Sequence, residues 1–235
     1  MKATTAAGIA AATAAAALAA GSRIPVVRDA VLHWGATAAE VERALPGDEL
    51  APRADVVATR AIRIAAPPAA VWPWLVQMGP GRGGAYTYDW IENLLGLDMH
   101  SADRILPEFQ EISVGEVIAL GLSGPRMRVE VVDIGRALVF ASKDRSWVWA
   151  FALVPDGAGT RLVSRNRISR PGSTALGRFA YRLVMEPGSL VMERKMLLGI
   201  KERAERLATA EGTNGSVDGA QRRYAVAGAE RTLDV

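Results

Sequence analysis

Arg60-Ala61-Ile62-Arg63-Ile64-Ala65-Ala66-Pro67-Pro68-Ala69-Ala70-Val71-Trp72-Pro73-Trp74-Leu75 is the stretch that decides the fold. It reads as a strand that gives way at once to a helix. Ile62 and Ile64 share one strand face, Arg63 faces the other way, and Arg60 interrupts the apolar pattern. Pro68 suits a first helical turn, where its missing N–H costs nothing. Pro73 removes a backbone bond and predicts a kink before Leu75-Val76-Gln77-Met78.

Downstream lies a glycine-rich segment, Gly79-Pro80-Gly81-Arg82-Gly83-Gly84, and then an aromatic segment, Tyr86 to Leu95, read as a helix. Gly96 to Glu108 is irregular. Strand signals follow at Val117–Leu120, Met127–Val131, Leu138–Phe140, Trp147–Val154 and Arg161–Ile168, with turns at Gly135-Arg136 and Asp156–Gly159. Short turns between successive strands predict an antiparallel meander. Trp147 to Val154 is apolar on both faces, as in a strand covered on both sides. Ser173 to Glu186 predicts a helix interrupted at Pro187-Gly188. A longer helix should then run to about Leu207. Leu190, Leu197, Ile200, Ala204 and Leu207 form its inward stripe; Glu193, Lys201, Glu202, Glu205 and Arg206 fall on its water-facing side.

Upstream, residues 3–20 carry no charge and are mostly alanine. As a helix they span about 27 Å, against about 30 Å for a hydrocarbon core. Three readings stay open: a membrane anchor, a signal peptide with Ala17-Leu18-Ala19 at its cleavage site, and an Ala-rich leader in water. The anchor is favoured, which makes membrane association through residues 3–20 and a membrane-anchored location the working expectation. Thr37-x-x-Glu40 is a capping box for a short helix over 38–44. The expected organisation is a hydrophobic segment over 1–23, a linker with that helix over 24–55, a folded domain over 56–208 and a disordered tail over 209–235.

The chain has 235 residues, half of them apolar, and a formal charge of +3, too small to favour nucleic-acid binding. It has no cysteine, so disulfides, thiolate metal sites and a cysteine nucleophile are excluded. No metal or other cofactor is expected: His100 has no second histidine beside it to build a zinc site.

The order strand, helices, meander, long closing helix resembles the SRPBCC superfamily, which groups START-like lipid-transfer proteins, polyketide cyclases and aromatic-ring hydroxylase subunits. The resemblance covers about residues 56–208. It rests on the strand into Ala66-Pro67-Pro68-x-x-Val71-Trp72 and on Met192-Glu193-Arg194-Lys195-Met196 in the closing helix. Gly81-Arg82-Gly83-Gly84-x-Tyr86-x-Tyr88-Asp89-Trp90-x-Glu92-Asn93 with His100-Ser101-Ala102 resembles an actinobacterial-type branch, some of whose members carry an N-terminal membrane segment. What the resemblance implies is an α+β helix-grip fold: a curved antiparallel β-sheet wrapped around a long C-terminal α-helix, with a cavity between them. A small hydrophobic or amphipathic ligand, lipid- or polyketide-like, is the partner it implies.

Several residues are candidates for the site. Gly79–Gly84 matches the dinucleotide pattern G-x-G-x-x-G, but a helix precedes it and a meander follows, so the context is wrong for nucleotide binding. The loop is instead expected at the cavity mouth, where Arg82 meets an anionic ligand group or simply water. Tyr86, Trp90 and Asn93 fall on one face of the expected helix, bordered by Asp89. Asp89 and Glu92, three apart, either form an acid/base pair or cap the helix. His100, with Asp98 and Asp103 nearby, is a candidate general base or a structural loop residue. Trp147, Trp149 and Phe151 share a strand face and line either cavity or core. Asn166 falls on the inward face, where its amide must find a partner. Ligand binding through Arg82, Tyr86, Trp90, Trp147, Trp149 and Asn166 is the leading function. A cyclase- or dehydratase-like enzyme, with His100 or an Asp89/Glu92 carboxylate as acid/base and Tyr86 or Arg82 holding a developing oxyanion, is the first alternative, and a membrane-tethered interaction module the second.

Overall fold

The computed structural model describes residues 25–94, 96–119, 126–169 and 174–230. The uncharged segment 3–20 lies outside them, as do Gly172-Ser173 and the last five residues. Among the described residues no helix is long and apolar enough to cross a membrane.

Two short helices open the described chain, α1 (Pro25–Leu32) and α2 (Ala38–Glu42). The capping box forms as its sequence dictates: Thr37 accepts from the Glu40 N–H, and Glu40 accepts from the Thr37 N–H at 2.7 Å. Strand β1 (Val56–Ile64) follows, then α3 (Pro68–Val76), which continues through Pro73, and α4 (Asp89–Leu94). The meander comprises β2 (Val117–Ala119), β3 (Arg126–Asp133), β4 (Ala137–Ser142), β5 (Trp147–Asp156) and β6 (Gly159–Ile168). The six strands form one sheet in the order β1-β6-β5-β4-β3-β2, with every pairing antiparallel. A bulge between Val129 and Val131 breaks the β3–β4 register, which bends a strand and increases its twist.

Helix α5 (Ala175–Ala180), a π-helical turn (Tyr181–Met185) and α6 (Glu186–Glu230) close the chain. Here the expected break at Pro187-Gly188 does not occur. The Glu186 N–H bonds to the Tyr181 carbonyl, five residues back. That wider turn accommodates the proline without ending the helix. Nor does α6 stop near Leu207; its backbone stays helical to Glu230.

The concave face of the sheet meets α6, and the largest core cluster lies between them: Ile64, Leu138, Phe151 and Leu162 from the sheet, Met196, Leu197, Ile200 and Ala204 from the helix, Val71, Trp74 and Leu75 from α3. This is the helix-grip architecture. The convex face is covered as well. Val139, Val148 and Ala150 pack on Ala51, and Ala61, Ala152 and Val163 on Leu45. Residues 35–51, read from sequence as a linker, therefore form a second layer. Arg165, nearly fully buried, ties that layer down: its guanidinium donates to Thr59, Asp48 and the carbonyls of Glu40, Val41 and Arg43, at 2.6–2.9 Å.

Candidate functional site

Between the sheet and the first half of α6 lies a cavity of about 710 Å³. Its wall takes Val56, Ala58 and Arg60 from β1, Trp147 and Trp149 from β5, Asn166 and Ile168 from β6, and Ser189, Met192, Glu193 and Met196 from α6. A second part comes from Met78, Thr87, Glu92 and Met99, with Ile118, Met127 and Phe140 from the sheet. The chain has seven methionines. Six of them, Met78, Met99, Met127, Met185, Met192 and Met196, line this one cavity. Methionine is unbranched and polarisable, so such a wall moulds to differently shaped apolar guests.

A polar network sits in this wall, and the sequence reading missed its centre. Arg60 does not interrupt the strand; it occupies an inward position. Side chains alternate along β1, so Ala58, Arg60, Ile62 and Ile64 share a face, and Arg60 pairs in register with Ser164. Glu193 was assigned to the water-facing side of α6. It is buried, because it precedes Leu197 by four residues and so belongs to the same inward stripe. The two pair directly, Arg60 Nη1 donating to Glu193 Oε2. Ser164 Oγ donates to Glu193 Oε1 at 2.5 Å and Asn166 Nδ2 to the same carboxylate at 3.2–3.3 Å. Arg60 also donates to the Val31 carbonyl from Nε at 3.1 Å and Nη2 at 3.0 Å, and to Ser189 Oγ at 3.0 Å. Burial pushes the Glu193 carboxyl above its ordinary range, while Arg60, Ser164 and Asn166 pull it down.

The tryptophans are fixed by the same network. Trp147 Nε1 donates to Asn166 Oδ1 at 2.8 Å, and Trp149 Nε1 to Ser164 Oγ at 3.0 Å. The two rings stack with centroids 5.9 Å apart. Their polar edges are thus satisfied within the protein, and their apolar bodies are left to the cavity. Asn166, placed inward from its sequence position, finds its partners in Trp147 and Glu193.

Three of the other sequence candidates lie elsewhere. Arg82 is not on the cavity wall; it donates to Glu116 at 2.9 Å and to the Val76 carbonyl at 3.0 Å and lies over the Phe109 ring. The glycine loop around it is a closed turn, with Gly79 and Gly84 bridged. Gly83 and Gly84 have no room for side chains: a Cβ on Gly84 would lie 2.7 Å from the His100 carbonyl. Tyr86 precedes α4 with a positive φ of 58°, so it does not share a helical face with Trp90. Its ring is core, its Oη donates to the Trp74 carbonyl at 3.0 Å, and burial raises the phenol above its ordinary range. Trp90 points to solvent, 70% exposed, since the short α4 turns it outward.

Of the acid/base candidates, His100 has a side chain 77% exposed and pairs with Asp98, at 3.1 Å. Asp89 caps the neighbouring loop, accepting from the Ser101 N–H at 2.8 Å and Ser101 Oγ at 2.6 Å. Glu92 alone reaches the cavity, 7% exposed. Its carboxyl is pushed up, chiefly by burial and also by Asp89, with Thr87 tempering the rise. Of these candidates Glu92 joins the cavity wall, while His100, Asp89, Tyr86 and Arg82 lie outside it.

No family model matches the chain, and no curated relative does. Solved structures do. The KanY protein is 17% identical over 64% of this chain and 97% of its own, with a TM-score of 0.43. A protein of Rhodobacter sphaeroides is 16% identical, covering 62% and 88%, at 0.41. A Polyketide_cyc-like protein of Corynebacterium glutamicum is 18% identical, covering 67% and 92%, at 0.33.

Proposed function

We propose that the chain binds one small hydrophobic or amphipathic molecule in the space between sheet and closing helix. One observation carries this: a methionine-lined cavity of about 710 Å³ whose tryptophan N–H groups already have partners in the protein. Its volume lies within the range of about 300–1,000 Å³ usual for small-molecule sites. An apolar wall with a few fixed polar groups favours burial of a mainly apolar body. Enzymatic chemistry has less support, since only Glu92 of the expected catalytic group lines the cavity. Association of residues 3–20 with a membrane would hold the cavity beside a reservoir of apolar ligands. Flotation of the full chain with phosphatidylcholine vesicles tests that part separately; protein left at the bottom of the gradient counts against it.

The binding reading is tested by native mass spectrometry of chain purified without detergent, compared with Met192→Trp, which narrows the cavity from α6. The expected result is a small apolar adduct, one per chain, that is clearly less abundant on the variant. Adducts equally abundant on both proteins would count against it.

A further inference from the structure

Each charged group on the cavity wall has a counter-charge except one. Arg60 pairs with Glu193, and Glu186 with Arg28, whose Nε and Nη2 donate at 2.9 and 2.8 Å. Among the described residues no cation pairs with Glu92, although it is over nine-tenths buried. Its Oε2 has no hydrogen-bond partner of ordinary geometry, and neither has Thr87 Oγ1, whose hydroxyl is close enough to temper the rise of the carboxyl but makes no well-formed bond to it. Both residues line the cavity. Buried polar atoms are nearly always satisfied, so an unfilled pair facing a cavity requires an explanation.

The backbone around Glu92 is held by its own hydrogen bonds. Asp89 holds Ser101, as described, and Asn93 is locked to Met99, donating to its carbonyl at 2.9 Å and accepting from its N–H at 2.6 Å. Helix α4 is thus clamped on both sides of Glu92. A glutamine or leucine would be easier to bury there, so the carboxyl contributes nothing evident to folding.

We propose that Glu92 and Thr87 form the head-group site of the cavity, and that the ligand is an apolar molecule ending in a protonated amine. Glu92 Oε2 lacks a donor, and Thr87 Oγ1, a hydroxyl that can donate or accept, is open to the same guest. An ammonium carries three N–H bonds, whereas a hydroxyl offers one. The amine also supplies the counter-charge that Arg60 and Arg28 give the other two buried carboxylates, and a cation at that distance favours the ionised form of Glu92. A ligand carboxylate would meet like charge. The apolar body would then extend along Met78, Met99 and Met127. The proposal rests on the ligand-binding reading above and names the ligand's polar end.

Displacement of N-phenyl-1-naphthylamine from the full chain by decylamine, decanol and decanoic acid at pH 7 tests it. Decylamine should bind about tenfold or more tightly than decanoic acid, with decanol between, the margin of one desolvated charge pair. In Glu92→Gln the decylamine affinity should fall about tenfold, and decanol should stay within about twofold, because only the charge is removed. Equal affinities of amine and acid for the wild type would overturn the proposal. So would an amine preference that survives Glu92→Gln, or decanol binding as tightly as decylamine. The wild-type ranking requires no variant to fold. If the naphthylamine itself does not bind the wild type, the ligand-binding reading falls instead.

Discussion

Replacing Glu193 with alanine should unsettle the fold more than any exposed substitution on α6. The change removes the acceptor of three groups at once: Arg60, Ser164 and Asn166. Arg60 keeps the Val31 carbonyl and Ser189 Oγ, so its guanidinium is not stripped of every partner. It does lose its counter-charge inside the protein. Severing one half of a buried pair costs about 3–5 kcal/mol. Two neutral donors left unsatisfied push toward the upper end, at about 1 kcal/mol or more each, and water entering the adjoining cavity pulls it back. We therefore expect about 3–4 kcal/mol, read as a lower urea midpoint with unchanged slope. In a cycle of Arg60→Met, Glu193→Met and the double variant, the double should cost much less than the two singles summed, a coupling energy of about 2 kcal/mol or more. A loss below about 1 kcal/mol for Glu193→Ala, no larger than for the exposed Glu202→Ala, would refute the buried-pair argument.

Glu92 adds a pH dependence. Its carboxyl is raised above the ordinary 4.5 in the fold, so its contribution to stability is complete below that value and is lost as pH rises through the folded value. Glu92→Gln should therefore gain stability over ligand-free wild type at pH 7–8, and the gain should shrink toward pH 4.5; thermal melts across that range measure it. Gly199→Ala should destabilise by about 1–3 kcal/mol, the usual overpacking cost, because its Cβ would lie 2.6 Å from the Tyr86 carbonyl oxygen; a denaturant titration decides. Leu197→Ala should cost about 2–5 kcal/mol as a fully buried leucine, while Glu202→Ala stays within about 0.5 kcal/mol. Glu205, on the same water-facing side by period, is tied down instead: its carboxylate accepts from the Ala65 N–H at 2.6 Å.

The elements that carry a strong local signal are legible in the chain. Pro68 starting α3, the Thr37–Glu40 box, the alternation of β6 and the stripe from Leu197 to Ala204 all lie where their periods put them. What local reading misses is pairing between distant elements. Arg60 looked like an interruption in a strand, and Glu193 like a member of a polar helix face. Each falls on the inward face of its own element when the period is followed strictly, and two opposite charges at inward positions were the available signal that they meet. The Gly79–Gly84 loop and Tyr86 were misjudged for a different reason. Their role is set by backbone contact with residues 100–102 and with α6, which no short-range pattern encodes. Arg165 likewise depends on carbonyls of the 40–43 segment, more than a hundred residues upstream.

Stoichiometric uptake of a neutral apolar probe tests the central claim most directly. Titration of N-phenyl-1-naphthylamine into the full chain should saturate at one molecule per chain, and Met192→Trp should weaken uptake while melting like the wild type. No saturable uptake by the wild type, or full uptake by a folded Met192→Trp, would contradict the assignment of this cavity as the binding site.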